Sequence, residues 1–222
     1  MSLINLITTS DGSHSLVNTA LNETYHSVHG AITESKHVYI HNGLDFWLEQ
    51  NGDRELRILE IGFGTGLNVL LTLLHAQSLK NRIYYESWEA FPLEDSIVHQ
   101  LNYGVRLGAS DSVSKIYGAI WDSTVQLTPS FALKKIHGDV LTSPISGSFD
   151  LVYYDAFAPS KQPAMWTIDI LKKITDAMAF GGILVTYCAK GQLKRDLRTL
   201  GLTFETLPGP PGKKEMVRTK IQ

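Results

Sequence analysis

The order of elements along this chain predicts an α/β fold, a mostly parallel, doubly wound sheet covered on both faces and closed by an antiparallel β-hairpin, with a small N-terminal extension. Three observations carry the prediction. From Arg57 onward, short runs rich in Ile, Val and Tyr alternate with helix-length amphipathic stretches. A glycine-rich turn, "GFGTG", joins the first such run to the first such helix. At the far end, two strand-like runs are separated only by "PGPPGK", with no helix between them.

Residues 1–56 stand outside the alternation and form a hairpin-and-helix extension, leaving residues 57–222 as the main domain. "LINLITTSDGSHSLVNTALN" reads as a hairpin turning at Asp11-Gly12, a pair that tolerates the positive φ of tight turns. "ESKHVYIHNGLDFWLEQNG" reads as a helix on which His37, Ile40, Leu44 and Trp47 share a face. In the main domain, "RILEIG", "RIYYESWEA", "LKKIHGD", "DLVYYDAF" and "GGILVTYCA" are the strands, each short and bounded by Gly, Pro or Asp. "LNVLLTLLHAQSLK", "PLEDSIVHQLNYGVRLG" and "AMWTIDILKKITDAM" carry helical spacing, and Pro163 opens the last where a missing N–H costs nothing. "LTFETLPG" and "KEMVRTKI" make the closing hairpin, its loop too rich in proline to be strand.

Composition narrows the class. With 222 residues, 43% hydrophobic and 19% charged, one well-built domain is expected. No apolar run reaches the roughly 18 residues of a membrane span, and the start lacks a secretory pattern, so a soluble cytoplasmic protein is expected. The single cysteine, Cys188, lies in an apolar run and reads as core, which leaves no disulfide framework or cysteine metal cage. His26 and His29 form H-x-x-H and His37 and His41 lie one turn apart, but no third ligand stands at matching spacing and no metal is expected. Net charge is −2, against a large nonspecific nucleic-acid footprint, yet residues 190–222 hold eight Lys/Arg against three Asp/Glu. That basic end is a candidate phosphate-binding surface.

The glycine turn decides the cofactor class. "ILEIGFGTGLNVLL" puts Glu60 at the end of the first strand, then Gly62, Gly64 and Gly66, then a helix. Its E-x-G-x-G-x-G spacing differs from the dinucleotide G-x-G-x-x-G, and it lacks the lysine of a P-loop. It resembles motif I of class I S-adenosylmethionine-dependent methyltransferases, whose sheet is Rossmann-like and seven-stranded. S-adenosylmethionine is cationic and carries no phosphate, so an acid beside the loop, Glu60, is favourable where a pyrophosphate would be repelled. Glu89, closing "ESWE", is placed for the ribose hydroxyls, and Asp139, closing "HGD", for the adenine amino group. Three acids at three successive strand ends fit the rule that such sheets bind ligands at their carboxyl edge. Phe63, Asn68 and Val140 complete the expected cofactor contacts.

"YYDAFAPSKQPAMW" follows the fourth strand. A lone strand-end acid there, Asp155, suits an amine acceptor, since an ammonium must lose a proton before it can attack. Phe157, Pro159 and Trp166 read as walls of a slot for a flat group. "DAFAPSKQPAMW", with "HGAITESKHVYIHNGL" upstream and "GKKEM" downstream, resembles the methyltransferase domain of the MnmC family of tRNA 5-methylaminomethyl-2-thiouridine biosynthesis enzymes, over about Tyr25 to Met216. Gln162 stands where that family's pattern has Asn. The resemblance implies methylation of the aminomethyl nitrogen of 5-aminomethyl(-2-thio)uridine at the tRNA wobble position. It makes Asp155 the residue at the acceptor amine, Phe157, Lys161 and Trp166 the substrate loop, and Lys213 and Lys214 a basic element near the tRNA. Members fused to a flavin-dependent oxidase make their own aminomethyl substrate; these 222 residues hold no such segment, so a separate enzyme is expected to form it. The rival readings are a small-molecule amine methyltransferase or an aminopropyltransferase of the same fold. A dehydrogenase is disfavoured by the glycine spacing, and a catalytically silent module by the retained acids.

Overall fold

The structure, a computed structural model, describes residues 4–221. The N-terminal hairpin forms where expected: β1 (Ile4–Thr8) pairs antiparallel with β2 (His14–Asn18), and a short β3 (Glu23–Thr24) extends it to three strands. Asp11 in its turn is a structural knot. Burial would raise its carboxyl pKa, but hydrogen bonds from the amides and hydroxyls of Ser13 and Thr33 outweigh this and hold it well below the usual range. Those bonds tie the turn to α1 (Ala31–Ser35).

The helix expected next is continuous but unevenly wound: α1 passes into a π-helical stretch, Lys36–Asp45, and then α2 (Phe46–Asn51). The wider turn rotates the apolar face. Ile40, Leu44 and Trp47 are buried together with Val38 and Tyr39, whereas His37 stays at the rim and donates to the Pro208 carbonyl at 2.8 Å. Gly43 lets this helix press on the sheet, since a Cβ there would lie 3.0 Å from Val185 Cγ2.

The main sheet consists of β4 (Leu56–Ile61), β5 (Ile83–Glu89), β6 (Thr124–Thr128), β7 (Phe131–His137), β8 (Phe149–Tyr154), β9 (Met178–Thr186), β10 (Thr203–Pro208) and β11 (Glu215–Lys220). Its order is β10-β11-β9-β8-β4-β5-β7-β6. Neighbours from β9 to β7 pair parallel, whereas β11 with β9, β10 with β11, and β6 with β7 pair antiparallel. The sheet is therefore mixed and eight-stranded, not seven-stranded. The extra strand, β6, lies at an edge and buries only Leu127, so it carries almost no hydrophobic signature.

Helices α3 (Leu67–Ala76), α4 (Asp95–Val98), α5 (Tyr103–Leu107), α6 (Ser110–Gly118), α7 (Ile168–Asp176) and α8 (Gly191–Thr199) complete the layers. The one helix expected over "PLEDSIVHQLNYGVRLG" is two, because Asn102 is drawn out of it. Its side chain donates to the Gly12 carbonyl at 2.9 Å and accepts the His14 N–H at 2.8 Å. Each sheet face has its own core, one around Trp47, Tyr85 and Tyr153, the other around Leu59, Tyr154 and Trp166, with Cys188 buried in the second. Since β4 is flanked by β5 and β8, the strand order reverses there, and a crevice opens at the carboxyl ends of these central strands.

Candidate active site

The glycine loop is shaped by its φ angles: Gly62 at 96°, Gly64 at 50° and Gly66 at 72° all lie where L side chains are strained. A Cβ on Gly62 would also sit 2.7 Å from the Asp155 carbonyl oxygen. That close approach brings the loop against the end of β8, where the Asp155 N–H donates to the Ile61 carbonyl at 3.0 Å. Gly66 then starts α3. Glu89 is fastened to the same loop, one carboxylate oxygen accepting the Gly64 N–H and the other the Phe91 N–H, both at 2.9 Å. Asp139 accepts the Leu141 N–H at 2.8 Å.

Over these strand ends lies a cavity of about 610 Å³, within the range of cofactor and small-ligand sites. Ten of the expected residues line it: Gly62, Phe63, Gly64, Asn68, Glu89, Asp139, Val140, Asp155, Phe157 and Lys213. Glu60, Gly66, Lys161, Trp166 and Lys214 do not.

Glu60 requires the clearest correction. It is fully buried beneath the loop, and the Ser87 hydroxyl donates to it at 2.5 Å. Burial pushes its pKa up to about 8, with the nearby Asp155 charge adding and Ser87, Asn68 and Tyr85 opposing. Burial thus favours its neutral form, which has no charge to offer a sulfonium. The reason is positional: β4 is covered on both faces, so its polar residue points into protein. Trp166 also lies behind the site. It donates from Nε1 to the Phe157 carbonyl at 2.8 Å and packs edge-on to Tyr154 at 4.8 Å, bracing the loop whose Phe157, Gln162 and Met165 face the cavity. Gly66 serves the backbone of the helix start, and Lys161 and Lys214 lie outside the cavity lining.

Asp155 occupies the point where the loop, β8 and the N-terminal helix meet. Its Oδ2 accepts from Asn68 Nδ2 at 2.9 Å. Burial raises its pKa to about 6; the charge of Glu34 adds to the rise, while Tyr39, Asn68 and Lys213 oppose it. The carboxyl is thus poised near neutrality, able to hold or release a proton. The Tyr39 hydroxyl is buried beside it and makes no hydrogen bond of good geometry.

Several cavity residues were not expected from the sequence. Tyr25 packs edge-on to Phe157 with ring centres 5.0 Å apart. Tyr187 donates its hydroxyl to the Ala156 carbonyl at 2.8 Å. Glu34, buried, accepts the Ser27 N–H at 2.6 Å and forms an ion pair with Lys213, whose Nζ lies 3.9 Å from the centre of the Tyr187 ring. Glu34 and Tyr39 fall inside "HGAITESKHVYIHNGL", but helical periodicity alone marks that stretch as core. His26 also lines the cavity, held neutral by burial with its pKa down to about 4. Among the described residues, no group of three or more His, Cys, Asp or Glu side chains could hold a metal ion.

The glycine loop, the strand-end acids and the strand order define the class: this is a class I S-adenosylmethionine-methyltransferase-like α/β domain. A family described as S-adenosyl-L-methionine-dependent methyltransferase matches residues 113–222. More particularly, the domain is similar to the MnmC proteins. It is 31% identical over 220 residues to the tRNA 5-methylaminomethyl-2-thiouridine biosynthesis bifunctional protein MnmC of Leptospira borgpetersenii serovar Hardjo-bovis (strain JB197), covering 92% of this chain and 33% of that protein. The MnmC of Burkholderia multivorans is 28% identical over 218 residues, 91% of this chain and 33% of that protein. The chain thus spans about a third of the length of the curated relatives it matches. Among solved structures, MNMC2 from Aquifex aeolicus superposes with a TM-score of 0.82 at 24% identity, covering 100% of this chain and 71% of that one. Spermidine synthase from Thermotoga maritima shares the fold at a TM-score of 0.57 and 14% identity, over 98% of this chain and 68% of that one.

Proposed function

We propose that this chain methylates a primary amine, the aminomethyl nitrogen of 5-aminomethyl(-2-thio)uridine at the tRNA wobble position. The observation that carries the reading is Asp155: a strand-end carboxylate with a near-neutral pKa, held by Asn68 and turned into a cavity walled by Tyr25 and Phe157. S-adenosylmethionine, when bound, supplies the electrophilic methyl group. Gly62, Phe63, Gly64 and Val140 would hold it along the loop, Glu89 its ribose and Asp139 its adenine.

The chain's own residues do the rest. An acceptor arriving as an ammonium gives one proton to Asp155 and becomes a nucleophile; forming the new N–C bond breaks the S–C bond of the donor. Asn68 fixes the carboxylate so that little reorganisation is needed. Tyr25 and Phe157 offer ring faces and edges to an unstacked base, the usual way single-stranded RNA is read. Lys161 and Lys214, outside the cavity, and the basic end of the chain are suited to phosphate.

The similarity to proteins of tRNA 5-methylaminomethyl-2-thiouridine biosynthesis supports the tRNA acceptor. A second reading, transfer to a small polyamine, draws on the acids Glu23, Glu34, Glu89, Asp139 and Asp155 along one cavity. Incubation with labelled S-adenosylmethionine and tRNA carrying 5-aminomethyl-2-thiouridine, followed by nucleoside mass analysis, separates the two. Label on the side-chain nitrogen of the wobble uridine is the expected result. Label only on small amines would replace it with the second reading.

A further inference from the structure

The resemblance made Lys213 a basic element near the tRNA. Instead its ammonium is drawn into the cavity, paired with the buried Glu34 carboxylate and set 3.9 Å from the centre of the Tyr187 ring. Neither partner is free to move: Glu34 is fixed by the Ser27 N–H at 2.6 Å, and Tyr187 by its bond to the Ala156 carbonyl at 2.8 Å, one residue from Asp155. A fixed carboxylate beside an aromatic face is the chemistry that recognises an alkylammonium. Both groups line the same cavity as Asp155, whose carboxyl senses the charges of Glu34 and Lys213.

We propose that Glu34 and Tyr187 form the seat for the protonated amine of the acceptor, and that the Lys213 ammonium is its resident placeholder, displaced when the acceptor enters. The proposal rests on the amine-acceptor reading above and adds the residues that select the charge. A lysine with a long flexible stem and about a third of its side chain exposed can leave without disturbing the fold. Once displaced, its charge moves toward the cavity mouth, the side from which an RNA phosphate would approach. The incoming ammonium takes over the Glu34 ion pair, so no buried carboxylate is left unpaired.

The test is the sign of one change. Binding of the nucleoside 5-aminomethyluridine and of its uncharged 5-hydroxymethyl analogue is measured by calorimetry on protein saturated with S-adenosylhomocysteine, for the wild type, Lys213→Met and Glu34→Gln. Lys213→Met, which keeps the stem and removes the competing charge, should bind the amine about tenfold more tightly and the hydroxymethyl analogue unchanged. Glu34→Gln should abolish the preference for the amine. Weaker amine binding in Lys213→Met, or equal tightening of both nucleosides, would overturn the seat, as would an intact preference in Glu34→Gln. Affinity for S-adenosylhomocysteine and the melting temperature of each variant check the fold; should Lys213→Met be unfolded, Lys213→Gln repeats the measurement. Failure of the functional reading is seen separately, as absence of methyl transfer to tRNA by the wild type while the binding pattern holds.

Discussion

Replacing Glu60 by glutamine should stabilise the protein, and by an amount that depends on pH. The carboxyl has a folded pKa of about 8 against a model value of 4.5. A raised folded value means that its contribution is fully present below pH 4.5 and is lost as pH rises toward 8. At pH 7 the unfolded chain has released this proton while the folded chain retains it. That spans 2.5 pH units above 4.5, or about 3 kcal/mol at roughly 1.4 kcal/mol per unit. Glutamine keeps an oxygen for the Ser87 hydroxyl and has no proton to lose. Allowing for imperfect placement of the new NH₂, we expect Glu60→Gln to gain about 1–3 kcal/mol at pH 7 and nothing at pH 4. Urea unfolding of both proteins across that range reads the difference directly, and cofactor affinity should stay within about threefold. A loss of stability at pH 7, or a difference independent of pH, would show that Glu60 is ionised in the folded state. A cofactor affinity weakened by more than tenfold would return it to the cation-facing role expected from sequence.

Three other outcomes follow from the geometry. With its pKa near 6, Asp155 is about nine-tenths ionised at pH 7 and about one-tenth at pH 5, so turnover should fall about tenfold between them. Because the charge of Glu34 raises that pKa, Glu34→Gln should move the acid limb of the pH-rate profile to lower pH, and an unmoved limb would remove this coupling. Glu89→Gln, which leaves the loop amides an oxygen but no charge, should weaken S-adenosylmethionine binding by about 10–100-fold. Unchanged binding in a titration would take Glu89 out of the ribose site.

The regular parts of the fold were legible because local physics governs them. Alternating apolar runs placed β4, β5, β7, β8 and β9, the Asp11-Gly12 pair placed the first turn, and "PGPPGK" placed the last hairpin. Signals failed where the structure depends on distant partners. Asn102 breaks a helix because the N-terminal hairpin claims its side chain, and β6 exists because β7 offers an edge. In the site, Gly62, Glu89, Asp139 and Asp155 were readable because strand ends and glycine spacing fix their backbone positions.

What the sequence determined by itself is therefore the scaffold: a sheet whose central strands end in a glycine loop and a row of acids, since pattern, propensity and spacing are properties of neighbouring residues. What only the tertiary structure decided is the charge state and company of those acids. The Glu60 carboxyl is pushed up because both sheet faces cover it, that of Asp155 is raised because a helix and a loop close over it, and Lys213 faces inward because Glu34, 179 positions away, is buried across from it. Burial and long-range pairing set these properties, and neither is written in the order of adjacent residues.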